Sequence, residues 1–150
     1  MRTGCVFCGI ADGTVSCEIV DSDTSTVSFL EMNPATPGHT IVIPRRHSDD
    51  LCGVDDQELA ATMLSARRIA VRAMDRLGAD GANLLNCSGE VAWQTVPHFH
   101  VHVVPRYSND PLELPWVPVQ GDRADLALVA DRMRQEAPAA SAEAGRPSPD

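Results

Sequence analysis

The sequence predicts an α+β fold: a five-stranded antiparallel sheet carrying one long helix, followed by a C-terminal helix. Three observations predict it. Five short runs rich in β-branched and apolar residues are separated by turn-forming clusters. One long stretch in the middle repeats its apolar residues at steps of three and four. Two of the connections between strands are too short for the crossover that a parallel pair requires. With 150 residues and 16.1 kDa, the chain has the size of one domain, expected over residues 1–136.

The elements follow in order. A short helical turn starting at Cys8 ends at Gly13. Cys17–Val20 and Thr26–Leu30 form two strands around the polar turn Asp21–Ser25. Asn33-Pro34-Ala35-Thr36-Pro37-Gly38 is a rigid loop, because its prolines and glycine fit neither regular structure. His39–Ile43 is a third strand, closed by Pro44. The long helix spans Asp55–Leu77, with Asp55 as its cap and Glu58 three places later in a capping-box arrangement. Leu59, Met63, Ala66, Ala70, Met74 and Leu77 give it one apolar face, with Arg67, Arg68, Arg72 and Arg76 mostly on a solvated side. Gly78 supplies the stop. Ala82–Asn86 and His98–Val104 are the remaining strands. A second helix covers Arg123–Gln135, with Leu126, Val129 and Met133 on one side. Residues 137–150, rich in Ala, Pro, Ser and Gly, form a disordered tail.

Composition excludes several functions. The formal net charge of −9 opposes binding to a nucleic-acid polymer, which depends on basic side chains displacing counterions. All twelve basic residues are arginine, so P-loop, Schiff-base and Ser–Lys chemistries that need a lysine are absent. No stretch approaches the roughly 18 apolar residues of a membrane helix, and the N-terminal residues lead into no apolar secretory core. A cytoplasmic location is expected. Five cysteines, an odd number, read as reduced thiols. Cys17, Cys52 and Cys87 read as small apolar side chains.

Three of the five histidines lie in His98-Phe99-His100-Val101-His102-Val103-Val104. Alternation with apolar residues is the period of a strand, so on a regular strand all three imidazoles share one face. Four residues at ~3.3 Å each place His98 and His102 about 13 Å apart along the backbone, too far to ligate one ion together. The row must divide its labour. Neutral imidazole is available near pH 7. Its attack on phosphorus gives a labile phosphoramidate, which splits one difficult displacement into two. The ring's other nitrogen then needs an acceptor to fix the tautomer, and a neighbouring histidine can hold the phosphate or protonate the leaving group.

The His-φ-His-φ-His-φ-φ run, where φ is apolar, resembles the signature of the histidine triad family. So do Gln94-Thr95-Val96 before it, Pro105-Arg106 after it, Pro37-Gly38-His39-Thr40-Ile41-Val42-Ile43-Pro44 upstream, and Cys5-Val6-Phe7-Cys8 at the start. The likeness runs from about Cys5 to Tyr107. It implies a nucleotide hydrolase or transferase acting at the α-phosphate, with His100 forming a nucleotidyl-histidine intermediate. It also implies that His102 contacts the phosphate and bridging atom, and that backbone near His98 accepts from His100. Gln94 and Thr95 resemble the phosphate-side donors, His39 the auxiliary histidine, Glu31 the ribose-binding residue and Asn86 a ligand-pocket asparagine. Trp93 stands where many members have glycine, and Glu31 where Asp or Asn is common.

Cys5 and Cys8 have a spacing suited to zinc. The pair precedes every predicted strand, which removes the thioredoxin-like context that redox chemistry would require. With His39, His100 and His102 assigned to chemistry, His47 and His98 remain, in agreement with the zinc-containing, Hint-like branch of the family. Four protein ligands leave no open position, so the zinc would be structural.

The leading expectation is therefore a phosphohydrolase of nucleoside phosphoramidates or related purine nucleotides. Dinucleoside polyphosphate hydrolysis, a non-catalytic nucleotide-binding regulator and metal-dependent hydrolysis are the alternatives. The family resemblance also implies a homodimer, with the helix face and Trp116 as candidate contacts.

Overall fold

The computed structural model describes residues 4–113 and 115–135. The chain divides into two compact units, Met1–Leu112 and Glu113–Asp150. The tail expected over residues 137–150 lies outside the described residues. The first unit contains α1 (Val6–Ala11), β1 (Ile19–Ser22), β2 (Thr26–Leu30), β3 (Thr40–Pro44), α2 (Asp56–Leu77), β4 (Gly81–Leu85) and β5 (Val101–Arg106). The second contains α3 (Arg123–Arg134), capped by the Asp122 carboxylate, which accepts from the amides of Ala124 and Asp125. Leu126, Val129 and Met133, expected on one side of it, are all exposed.

The predicted α+β fold is the one the chain adopts. Its five strands form one antiparallel sheet in the order β1-β2-β3-β5-β4. Alternation along the strands sends side chains to two faces. On one, Val42, Val101 and Val103 pack with Phe99 against Ala66, Ile69 and Ala70 of α2. On the other, Val27, Phe29, Ile41 and Ile43 pack against Phe7, Ile10 and Ala11 of α1. His102 pairs with Ile41 across β3–β5, on the α1 side of the sheet.

Several details differ from the sequence expectation, among them the starts of α1 at Val6 and of β4 at Gly81. β1 begins at Ile19, not Cys17, and carries a register irregularity between Ile19 and Asp21. The triad strand begins at Val101, not His98. Pro97 brings no amide donor, the Phe99 amide donates to Ser48 O at 2.6 Å, and the backbone enters the β3 ladder only at Val101. The three triad rings therefore do not stand on one regular strand face.

A further difference concerns α2. Asp55 caps it through a bond from the Gln57 amide, and Gly78 ends it in the left-handed conformation at φ 69°. The buried side comprises Thr62, Ser65, Ala66, Ile69, Ala70 and Ala73, whereas Met63, Met74 and Leu77 are exposed. The helix is rotated from the expected apolar stripe because small and hydroxyl side chains allow close approach to the sheet. The Ser65 and Thr26 hydroxyls satisfy each other there at 2.7 Å. Nor are its arginines merely solvated. Arg68 bonds the Asp23 carboxylate at 2.8 Å and Arg72 donates to Val20 O at 3.1 Å, clipping α2 to the β1–β2 hairpin. Cys52 also departs from expectation, being exposed.

Candidate active site and metal centre

A chain of hydrogen bonds assigns the tautomers of the catalytic candidates. His100 Nδ1 lies 2.6 Å from His98 O. A carbonyl only accepts, so Nδ1 carries the proton and Nε2 keeps its lone pair. The Ala35 amide donates to His39 Nδ1 at 3.1 Å, so the His39 proton sits on Nε2. That proton is donated to His102 Nδ1 at 3.0 Å, which leaves His102 with an Nε2–H donor. The rings of His100 and His102 are 5.0 Å apart between centroids. A nucleophilic nitrogen and a donor nitrogen are thus presented side by side.

Burial acts on all of these rings. It lowers the proton affinity of His39, His100 and His102 below the ordinary imidazole range. For His102, burial and the neighbouring His100 and His39 bring the pKa down to about 4, against the opposing pull of Glu31. The Glu31 carboxylate acts in the same raising direction on His39 and His100. One of its oxygens accepts from the Asn33 amide at 3.1 Å.

The loop before the triad is tied to it at both ends. Asn86 Nδ2 donates to His100 O at 2.8 Å, so this asparagine holds the backbone of the nucleophile candidate. Gln94 accepts from the Gly89 amide at 2.7 Å and donates to Asp49 O and Val96 O at 2.6 and 3.1 Å. Thr95 is exposed. Trp93, also exposed, is the one non-glycine at positive φ among the described residues, at 69°. An aromatic side chain in the left-handed region is strained.

His98 faces elsewhere. Its ring is fully buried, its Nε2 donates to Pro44 O at 3.0 Å, and its Nδ1 meets Cys5 Sγ, Cys8 Sγ and His47 Nδ1 at 3.5, 3.7 and 3.3 Å. Cys8 Sγ and His47 Nδ1 are 3.4 Å apart. With zinc–nitrogen and zinc–sulfur bonds of about 2.0–2.3 Å, the edges of a zinc tetrahedron are about 3.3–3.8 Å. Those are the spacings found here. The second ring nitrogens fit as well. His47 Nε2 is bound to the Asp49 carboxylate at 2.9 Å and His98 Nε2 to Pro44 O, so in each neutral ring the proton sits on Nε2 and Nδ1 keeps its lone pair for a metal. Cys5, Cys8, His47 and His98 therefore fit a structural zinc site.

A family model described as the HIT domain matches residues 13–109. The chain belongs to the HIT family. Curated relatives include an uncharacterized HIT-like protein of Methanocaldococcus jannaschii, 37% identical over 106 residues, covering 71% of this chain and 81% of the relative. Among solved structures, SMU.412c from Streptococcus mutans superposes with a TM-score of 0.85 at 32% identity, covering 89% of this chain and 85% of the other. A Zn-bound histidine triad family protein from Mycobacterium smegmatis matches at 36% identity and a TM-score of 0.71, over 86% of this chain and 97% of that one. No helix among the described residues is long and apolar enough to cross a membrane.

The sequence alone missed Phe7, whose ring centroid lies 5.2 Å from that of His100 and 5.9 Å from that of His98. Its place between the two cysteines was the available signal. Asp49 and Pro44, which fix the metal-side tautomers, carry no sequence signature of that role.

Proposed function

We propose that this HIT protein hydrolyses nucleoside phosphoramidates or related purine nucleotides at the α-phosphate through a covalent intermediate on His100. The observation that carries the reading is the 2.6 Å bond from His100 Nδ1 to His98 O, because it leaves Nε2 unprotonated and burial keeps it so near neutral pH. Attack by Nε2 forms a P–N bond as the bond to the leaving amine breaks, the departing nitrogen taking up a proton that water returns to solvent when it attacks phosphorus in the second step. Water then attacks phosphorus, releasing the nucleotide and restoring neutral His100. The Nε2–H of His102 hydrogen-bonds the phosphate and bridging atom as charge develops there, and the His39–His102 bond fixes that donor. Glu31 faces the ribose, and Gln94 and Thr95 serve the phosphate side. Asn86 supports the site through the backbone of His100.

The zinc site clamps the N-terminal segment to the residue whose carbonyl orients the nucleophile. The same reading includes a homodimer. β4 is a sheet edge, Leu84 and Leu85 on it are exposed, and so are Met63, Met74 and Leu77 on α2. An open edge beside an apolar stripe is a surface that soluble chains normally cover.

Replacing His100 by Ala tests the enzymatic reading. Turnover of an adenosine phosphoramidate should fall by at least about 10³-fold, while AMP binding measured by calorimetry persists. Equal turnover in wild type and His100→Ala would identify a nucleotide-binding protein without this chemistry.

A further inference from the structure

The loop between β4 and β5 is held at its start and closed upon itself. Asn86 Nδ2 donates to His100 O at 2.8 Å, and its Oδ1 accepts from the Ser88 hydroxyl at 3.1 Å. That hydroxyl oxygen accepts in turn from the Leu51 amide at 3.1 Å. Further on, the amides of Ala92 and Gln94 both donate to Gly89 O, and the Trp93 amide donates to Glu90 O at 3.0 Å. The Gln94 side chain bonds the Gly89 amide and reaches Asp49 O. Together these bonds impose φ 69° on Trp93. The indole supplies none of them. It is 68% exposed and makes no hydrogen bond or ring contact among the described residues. A glycine would take the same backbone angles without strain. A large aromatic ring on a strained, fixed backbone, with its face open to water, is suited to stacking on a ligand.

The register of the sheet says which side of the histidine row this ring serves. Leu30 lies across from Thr40, and Thr40 from Val103. Glu31, whose amide donates to His39 O at 2.9 Å, therefore sits beyond the His102 end of the row. Leu85 lies across from His102, so the chain leaving β4 through Asn86 runs towards the His98 end. Glu31 and the Trp93 loop thus flank His100 from opposite ends. With ribose at Glu31, the other substituent on phosphorus, the leaving amine, is directed towards Trp93.

We infer that Trp93 determines leaving-group specificity: its indole stacks on an aromatic ring carried by the departing amine, so the site favours nucleoside phosphoramidates of arylalkyl amines over those of aliphatic amines. The inference rests on the reading of His100 as nucleophile and Glu31 as ribose contact given above. The bonds made and broken are unchanged. Stacking forms in the bound substrate and persists as the bond to nitrogen breaks, so it lowers KM and leaves kcat nearly the same.

The test compares the adenosine phosphoramidates of phenethylamine and cyclohexylethylamine, whose side chains are alike in size and differ in aromaticity. The zinc-loaded full chain is used as wild type, Trp93→Leu and Trp93→Gly. In wild type KM should be lower for the phenethyl compound by roughly 5–10-fold, with similar kcat. Trp93→Leu should bring the two KM values to within about twofold by raising that of the phenethyl compound alone. Trp93→Gly should do the same, and its denaturation midpoint should be no lower than that of wild type, because the strain leaves with the ring. Calorimetry of both compounds with His100→Ala, with and without Trp93→Leu, reads the same preference as a Kd ratio without turnover. No aryl preference in wild type, or a preference unchanged in Trp93→Leu and Trp93→Gly, would overturn the inference. So would a lowered midpoint in Trp93→Gly with both substrates weakened equally, which would make the indole a packing residue. If Trp93→Leu does not fold, Trp93→Gly decides. Hydrolysis of neither compound by wild type would defeat the hydrolase reading, and the calorimetric ratio would still decide whether Trp93 holds the aromatic group.

Discussion

His102 shows how burial and hydrogen bonding set the state of a single residue. Its Nδ1 accepts from His39, whose own Nδ1 is occupied by the Ala35 amide, so the ring needs no proton to satisfy its partner. Burial and the adjacent rings lower its pKa to about 4 from the usual 6.5. The unfolded chain therefore binds more protons than the folded one between those two values, and stability must rise with pH across that window. The denaturation midpoint should be flat above about pH 6.5, by this contribution, and fall as the pH drops towards 4. His102→Gln with zinc retained should fall less steeply over that range. Equal slopes for the two proteins would show that the ring does not titrate as its surroundings require.

At the scale of elements, much was legible in the sequence. The strands Thr26–Leu30 and His39–Ile43 were placed to within a residue of β2 and β3, because β-branched runs bounded by Asp23 and Pro44 leave little choice. The ends of α2 were equally plain, since Asp55 and Gly78 act through local backbone geometry alone. Its buried face was not. Hydrophobicity ranks Met63, Met74 and Leu77 above Thr62 and Ser65, but tertiary packing chose the small side. The hydroxyl of Thr62 bonds Glu58 O at 2.7 Å and that of Ser65 bonds Thr26, so neither is buried unsatisfied. Similarly, the alternation at His98–Val104 correctly sets His102 opposite Val101 and Val103, but could not show that the Phe99 amide bonds Ser48 O and that the ladder begins only at Val101. Ile69 lies at the centre of the real face, 3% exposed. Ile69→Ala should cost about 2–5 kcal/mol by chemical denaturation, as buried aliphatic truncations do. A loss below about 1 kcal/mol would show that another side of α2 faces the sheet.

The whole molecule joins two centres that the sequence displays as one motif. His98 gives its ring to the zinc site and its carbonyl to His100, so the metal cluster and the candidate nucleophile share a residue. The histidines of the candidate site were legible because their alternation is rare. The supporting contacts of Phe7, Asp49 and Asn86 were not, since each depends on chain segments brought together only by folding. The edge strand β4, with Leu84 and Leu85 exposed, and the exposed Met63, Met74 and Leu77 of α2 lead to the assembly prediction. Light scattering at micromolar concentration should give twice the chain mass, and Met63→Glu should shift the equilibrium towards single chains while the folded spectrum is kept. A wild-type monomer at that concentration would remove the dimer from the account.

The central claim is that phosphorus is transferred twice, first to His100 and then to water. Each in-line displacement inverts the configuration at phosphorus, so two of them restore it. Hydrolysis of one diastereomer of an adenosine phosphorothioamidate in isotopically labelled water, with the configuration of the product determined by phosphorus nuclear magnetic resonance, reads this directly. The account predicts net retention. Net inversion would mean that water attacks the substrate in a single step and that His100 never bonds to it.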